Sequence, residues 1–239
     1  MFAAQSVSGA ADGLGLSLVG ARVVARPSGA LFLPEARILA AADLHLGKCA
    51  RAARFGGALL PPYETAATLD RLAAEIDALR PETVLCVGDS FDSADAAEAL
   101  APGDRRRLAA LAAGRRWVWL AGNHDPSPPD APGEWAERWE QAGLVFVHEA
   151  RAGDPPGAVS GHHHPKAQLW LKGRRIVRRC FLHDRRRLIL PAFGAYAGGL
   201  DAADPIFDAL LEPEARALML GPRLIAAPRA ALTDFASRM

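Results

Sequence analysis

Seven residues with ligating side chains, Asp43, His45, Asp89, Asn123, His148, His162 and His164, stand at or just after the ends of apolar runs. Ile38 to Ala42 leads into Asp43-Leu-His45, Val84 to Val87 into Gly88-Asp89, Trp117 to Leu120 into Ala121-Gly-Asn-His-Asp125, Leu144 to Val147 into His148, and Val159-Ser160 into Gly161-His-His-His-Pro165. Six of the seven histidines lie at or beside these points, and only His183 falls elsewhere. Imidazole nitrogen with carboxylate and amide oxygen, and no thiolate, suits Mn, Fe, Zn or Ni at a catalytic site. Seven donors are too many for one ion but suit two ions sharing a bridge. A metal pair roughly 3.5–4 Å apart lowers the pKa of a bridging water and clamps the oxygens of a phosphoryl group during in-line displacement.

Each motif alone has a plainer reading. A polar pair after a strand is common, a Gly-Asp turn can cap the next helix, and a histidine run can scavenge metal at a surface. The order D-x-H, G-D-x-x-D, G-N-H-D, H, G-H-x-H carries the signal that no single motif does.

Such residues need strand ends to hold them, because ligands collect at the carboxyl ends of strands in open α/β sheets. Leu16 to Ala25 and Ala30 to Leu33 read as two strands around the turn Pro27-Ser-Gly29, and Arg37 to Ala42 as a third. From Tyr63 to Arg80, Leu69, Leu72, Ile76 and Leu79 recur at helical spacing until Pro81. Thr83 to Val87 is a buried strand, Leu108 to Ala113 belongs to a helix, and Trp117 to Leu120 is a strand. Trp135 to Ala142 reads as a further helix and Leu144 to Val147 as a strand; short strands follow to the end of the chain. The alternation gives one α/β domain over residues 1–239, with 1–15 as a lead-in to the first strand.

Composition sets the outer limits. The chain has 239 residues, 50% of them hydrophobic, with a formal net charge of +1, as in ordinary globular proteins. No apolar run approaches the ~18 residues that span a membrane, and no Lys or Arg precedes Arg22 to begin a signal peptide. Three cysteines without paired spacing point to a reducing, cytoplasmic setting. No G-x-S-x-G elbow is present, and Gly13-Leu-Gly15…Gly20 lacks the spacing of a dinucleotide loop.

The ordered motif set resembles the calcineurin-like metallophosphoesterases from roughly Asp43 to His164. The resemblance implies an α/β fold, a four-layer α/β/β/α sandwich of two mainly mixed sheets flanked by helices, with a dinuclear site at the strand ends. Carried over residue by residue, it implies one ion on Asp43, His45, Asp89 and His164 and a second on Asp89, Asn123, His148 and His162, with Asp89 as the bridge. It makes His124 the group that protonates the leaving oxygen, Asp92 the residue that orients His124, and a bridging water or hydroxide the nucleophile. The cofactors implied are two divalent ions, Mn²⁺ foremost, with Fe, Zn or Ni as alternatives.

A narrower set, Asp43-Leu-His-Leu-Gly-Lys48, Gly88-Asp-Ser-Phe91, His148-Glu149 and Arg187 to Asp201, looks like the ligase-associated DNA-damage-response phosphoesterases. That resemblance implies a metal-dependent endonuclease acting on DNA in repair, with a DNA ligase, a helicase and an exonuclease as partners. Lys48, Arg51 and Arg54, in the loop after the first motif, are candidate phosphate contacts, as is the basic block Lys172 to Arg187. Arginine dominates the basic residues throughout, so the block equally reads as compositional. The alternatives left open are a phosphatase or phosphodiesterase acting on small nucleotides and a non-catalytic docking subunit of a repair complex.

Overall fold

The computed structural model describes residues 13–49 and 63–235. Two mixed sheets face each other. In chain order the first contains β1 (Leu14–Leu18), β2 (Ala21–Ala25), β3 (Leu31–Leu33), β4 (Ile38–Ala41), β5 (Thr83–Cys86), β6 (Arg116–Leu120) and β7 (Glu134–Ala136), hydrogen-bonded in that same spatial order. Its first three pairings are antiparallel and its last three parallel. The parallel crossovers carry α1 (Glu64–Leu79) between β4 and β5, and α2 (Ala96–Ala99) and α3 (Pro102–Ala112) between β5 and β6. The second sheet runs β15 (Ile225–Pro228), β14 (Arg216–Met219), β12 (Arg174–His183), β13 (Arg187–Ile189), β10 (Ala158–Ser160), β9 (Leu144–Val147), β8 (Trp139–Gln141), with β11 (Lys166–Leu171) paired to β12.

Side chains alternate across strands, and the core divides accordingly. In β4, β5 and β6 the residues Leu39, Val84, Cys86, Trp117 and Trp119 face α1, whose Leu69, Leu72 and Ile76 cover them. Their neighbours Ile38, Ala40, Leu85, Val118 and Leu120 face Phe146, Val159, Phe181, Leu188 and Leu218 of the second sheet. Cys180, Leu182, Ile189, Ala217 and Met219 point the other way, toward Phe207, Leu210 and Leu211. That outermost layer is a single 3-10 turn, Pro205–Asp208, with its flanking loop. The expected sandwich is therefore present, with a fourth layer thinner than its first.

Two expectations change. Leu16 to Ala25 is two antiparallel strands, because Val19 and Gly20 both take positive φ and turn the chain within it. Trp135 to Ala142 is no helix: it splits between β7, parallel to β6 at the edge of the first sheet, and β8, antiparallel to β9 in the second. Trp135 packs on the α1 side of the first sheet and Trp139 between the sheets, so an i, i+4 pair that mimics one helix face serves two cores. Arg116 holds the crossing, with its guanidinium over the Trp139 ring at 4.2 Å and two bonds to the Glu134 carboxylate. Tertiary pairing overrides local preference here. Arg51, Arg54 and most of the expected lead-in lie outside the described residues.

Candidate metal centre

The parallel ladder of β4 and β5 does not stop where the strands do. The Asp43 amide donates to Gly88 O, His45 to Asp89 O, Leu46 to Ser90 O and Asp92 to Leu46 O. This extension carries both ligand loops forward as one unit. On the second sheet, Gly161 N donates to His148 O and brings the ends of β9 and β10 together. Leu190 N donates to Ser160 O, and Gly194 N, beyond β13, donates to Asp43 O and locks one sheet's rim to the other.

Holding the side chains inward requires unusual backbone. Asp43, His45, Asp89, His162 and His164 all have φ between 45° and 68°, a region that non-glycine residues seldom occupy. Five such residues in one cluster mark a functional site where surrounding contacts impose local strain. Neighbouring glycines permit the close approach. A Cβ on Gly122 would overlap the amide nitrogen and Oδ1 of Asp89, and one on Gly161 would overlap Asp43 Oδ2.

The result is a dense polar cluster. His164 Nε2 lies 3.3 Å from Asp43 Oδ1 and 3.3 Å from His45 Nε2. Asn123 Oδ1 lies 2.9 Å from His148 Nε2 and 3.0 Å from His162 Nδ1, and these two nitrogens are 3.1 Å apart. Asp89 Oδ2 sits between the two groups, 3.9 Å from His45 Nε2, 3.5 Å from His148 Nε2 and 3.9 Å from His124 Nε2. Three sets of ligand atoms fall within metal-binding reach of one another: Asp43, His45 and His164; Asp43, Asp89 and His148; His45, Asp89 and His124. All seven candidate ligands are therefore at one rim, with His124 beside them.

The cluster fits divalent ions on its own chemistry. Asp43 and Asp89 are buried, and among the described residues every ion pair they make is with a histidine. Buried carboxylates need a compensating charge. The rings of His45, His148 and His162 each have an oxygen near the nitrogen that faces away from the cluster, as metal-bound histidines do. Asp92 Oδ1 is 3.2 Å from His45 Nδ1 in an ion-pair approach, outside hydrogen-bond direction. Val87 O is 3.5 Å from His148 Nδ1, and Glu149 Oε1 is 3.6 Å from His162 Nε2.

Asp92 meets His124 differently from the expected carboxylate pairing. Its main-chain carbonyl is 3.0 Å from His124 Nδ1, while its carboxylate faces His45 and, at 4.0 Å, Lys48 Nζ. A carbonyl only accepts, so Nδ1 carries the proton in that contact and Nε2 faces the cluster. Asp125 acts from behind: its Oδ2 accepts from the Ser90 and Phe91 amides at 2.8 and 3.1 Å, which fixes the loop that bears Asp89. Burial pushes the Asp125 carboxyl up to about 7, with the Asp89 charge adding to the rise and the Phe91 and Ser90 amides opposing it. His163 points away, its ring 5.5 Å from that of Phe207, and burial lowers its pKa.

The His148-Glu149 pair stood out in the sequence, but the contact of Glu149 with the His162 ring depends on where that ring ends up. The basic block is also not uniform. Arg187 is buried and donates to Leu210, Ala152 and Asp154 carbonyls, so it is part of the frame. None of the cysteines is a thiolate nucleophile near neutral pH: burial, with Glu64 adding to it, pushes Cys49 up to about 12, and burial raises Cys86 and Cys180 still further.

No curated protein sequence matches the chain significantly. The structure of the nuclease MPE from Pseudomonas putida superposes with a TM-score of 0.67 at 26% identity, covering 90% of this chain and 100% of that one. The E. coli phosphoesterase Yfce aligns at 13% identity over 83% of this chain and 96% of its own, with a TM-score of 0.35. The family model of the calcineurin-like phosphoesterases matches residues 36–192, the span from the start of β4 to the loop after β13 that encloses every ligand described above. The chain belongs to the calcineurin-like phosphoesterase family and is a metal-dependent phosphoester hydrolase.

Proposed function

We propose that this chain is a phosphodiesterase that cuts DNA through a dinuclear metal site. The observation that carries the metal chemistry is the single rim on which Asp43, His45, Asp89, Asn123, His148, His162 and His164 converge, with Asp89 Oδ2 between the two histidine groups. Support for a DNA substrate comes from the likeness to the Pseudomonas putida nuclease over 90% of this chain.

Asp43, His45, Asp89 and His164 would hold one ion, and Asp89, Asn123, His148 and His162 the other. Divalent ions so held, with Mn²⁺ the first choice, supply an activated water and neutralise charge on the phosphoryl oxygens. The remaining work belongs to the chain. His124, with Nδ1 anchored on the Asp92 carbonyl, presents Nε2 to the site and in its imidazolium form gives that proton to the leaving oxygen, a role worth ~10²–10⁴-fold. Its ring is about one-third exposed, so a substrate can reach it. The Asp92 carboxylate lies 3.2 Å from His45 Nδ1 and 4.0 Å from the Lys48 ammonium, which places that cation at the rim for phosphate.

The test uses metal-stripped protein reloaded with Mn²⁺, Mg²⁺ or Zn²⁺ and offered labelled single-stranded DNA beside bis-p-nitrophenyl phosphate. DNA cleavage that His124→Ala abolishes is the expected result. Hydrolysis of the small diester alone would keep the two-metal site and discard DNA as substrate.

A further inference from the structure

Among the described residues, three cations crowd behind the rim without a counter-charge. Arg179 Nη1 donates to the carbonyls of Ala192 at 2.7 Å, Phe193 at 3.4 Å and Gly194 at 2.9 Å. Arg71 of α1 donates to the same Phe193 carbonyl and lies over the Phe193 ring. Lys166 is the cross-strand partner of Arg179 in the β11–β12 ladder, and its Nζ donates to Ala197 O at 3.4 Å. Like charges directly opposite each other destabilise a sheet, yet main-chain carbonyls are the only hydrogen-bond acceptors these three side chains have among the described residues.

The strain of this arrangement appears in each group. Burial lowers the pKa of Arg71; burial and the Arg71 charge lower Arg179 to about 10; burial and the Arg179 charge lower Lys166. Arg179 and Arg71 each spend one nitrogen on carbonyls, and none of their other nitrogens is a buried donor lacking a partner, so those donors open to solvent. The loop they hold is pinned to the metal-bearing segments at both ends, by Gly194 N on Asp43 O and by Leu200 N on His163 O.

We infer that Arg71, Lys166 and Arg179 form a phosphate-binding subsite beside the Asp43–His45–His164 end of the rim. Resting on the proposed function, its ligand is a phosphate of the DNA strand next to the one being cut. Three convergent cations with outward-facing donors match a phosphate group, and bracing one short loop does not need three.

The experiment uses full-length protein with Arg71→Met, Lys166→Met and the pair; Arg179, which three carbonyls hold, is left in place to protect the fold. With Mn²⁺ bound, the pair should raise KM for single-stranded DNA ~10-fold and reduce the slope of log KM against log salt by about 0.7, the share of one phosphate on a single strand. Loss on DNA should exceed loss on bis-p-nitrophenyl phosphate by about 5-fold or more; equal losses, or an unchanged slope, would overturn the subsite. A second arm titrates inorganic phosphate into metal-free full-length protein and follows the melting temperature. A rise in the wild type that the paired variant lacks supports the subsite even if the wild type cuts no DNA; the DNA reading then falls and the ligand is a free or terminal phosphate. Equal shifts in both proteins overturn the subsite whatever the DNA assay gives.

Discussion

The rim at the ends of β4, β5, β6, β9 and β10 and the outer face of the second sheet use the same residue types to opposite ends. On the rim, histidines lie 3.3–3.9 Å from the carboxylates of Asp43 and Asp89, and strained backbone holds them there. On the outer face, His163 packs on Phe207; His183, on the same side of its strand as Phe181, sits across from Arg216 at the strand end with Nε2 unpartnered. Burial lowers the pKa of both. Arginine divides the same way, Arg187 serving as a strut and Arg179 facing the rim's loop. Residue type alone does not mark a candidate ligand; a position just past a strand's carboxyl end does.

The harshest way to break this contrast is Asp89→Ala. Asp89 lies between both histidine groups, so activity should fall to background and bound metal should drop together with it, as read by elemental analysis beside turnover. His124→Ala should come next, with kcat lower by ~10²–10⁴-fold and metal content unchanged, if it protonates the leaving oxygen as proposed; full activity would remove it from that role. Gly122→Ala forces a methyl onto Asp89, and overpacking of this kind costs about 1–3 kcal/mol. Its melting temperature should fall and its metal affinity weaken, whereas Gly153→Ala, with open space around it, should change neither.

The smallest effect sharpens the other side. His183 has a folded-state pKa below its ordinary value, chiefly through burial, with Arg216 adding to the shift. The unfolded chain therefore takes up the proton first as pH falls. The stability is fully present above about pH 6.5 and is lost as pH drops below it. His183→Gln should flatten the decline of melting temperature between pH 7.5 and 5 relative to the wild type; parallel curves would mean that His183 is not a source of it.

The rim was legible because apolar runs ending on Asp, Asn or His recur in order, and each ending is local in the sequence. The helix over Glu64–Leu79 was legible for the same reason: one periodic face, closed by Pro81. What escaped depends on distant partners. Trp135 and Trp139 sit at helical spacing, but their cores belong to different sheets. Asp92 reaches His124 through its carbonyl rather than its side chain, a choice that no residue type encodes. Whether Arg179 or Arg187 reaches the rim is decided by carbonyls on other elements, 13 residues away at Ala192 for Arg179 and 35 at Ala152 for Arg187.

The central claim is two ions on one rim with Asp89 shared between them. Titrating Mn²⁺ into metal-free protein by calorimetry, with the bound ions counted after dialysis, tests it most directly. Two ions per wild-type chain, and fewer than one in Asp89→Ala, is the expected result. One ion per chain in both proteins would contradict a shared dinuclear centre.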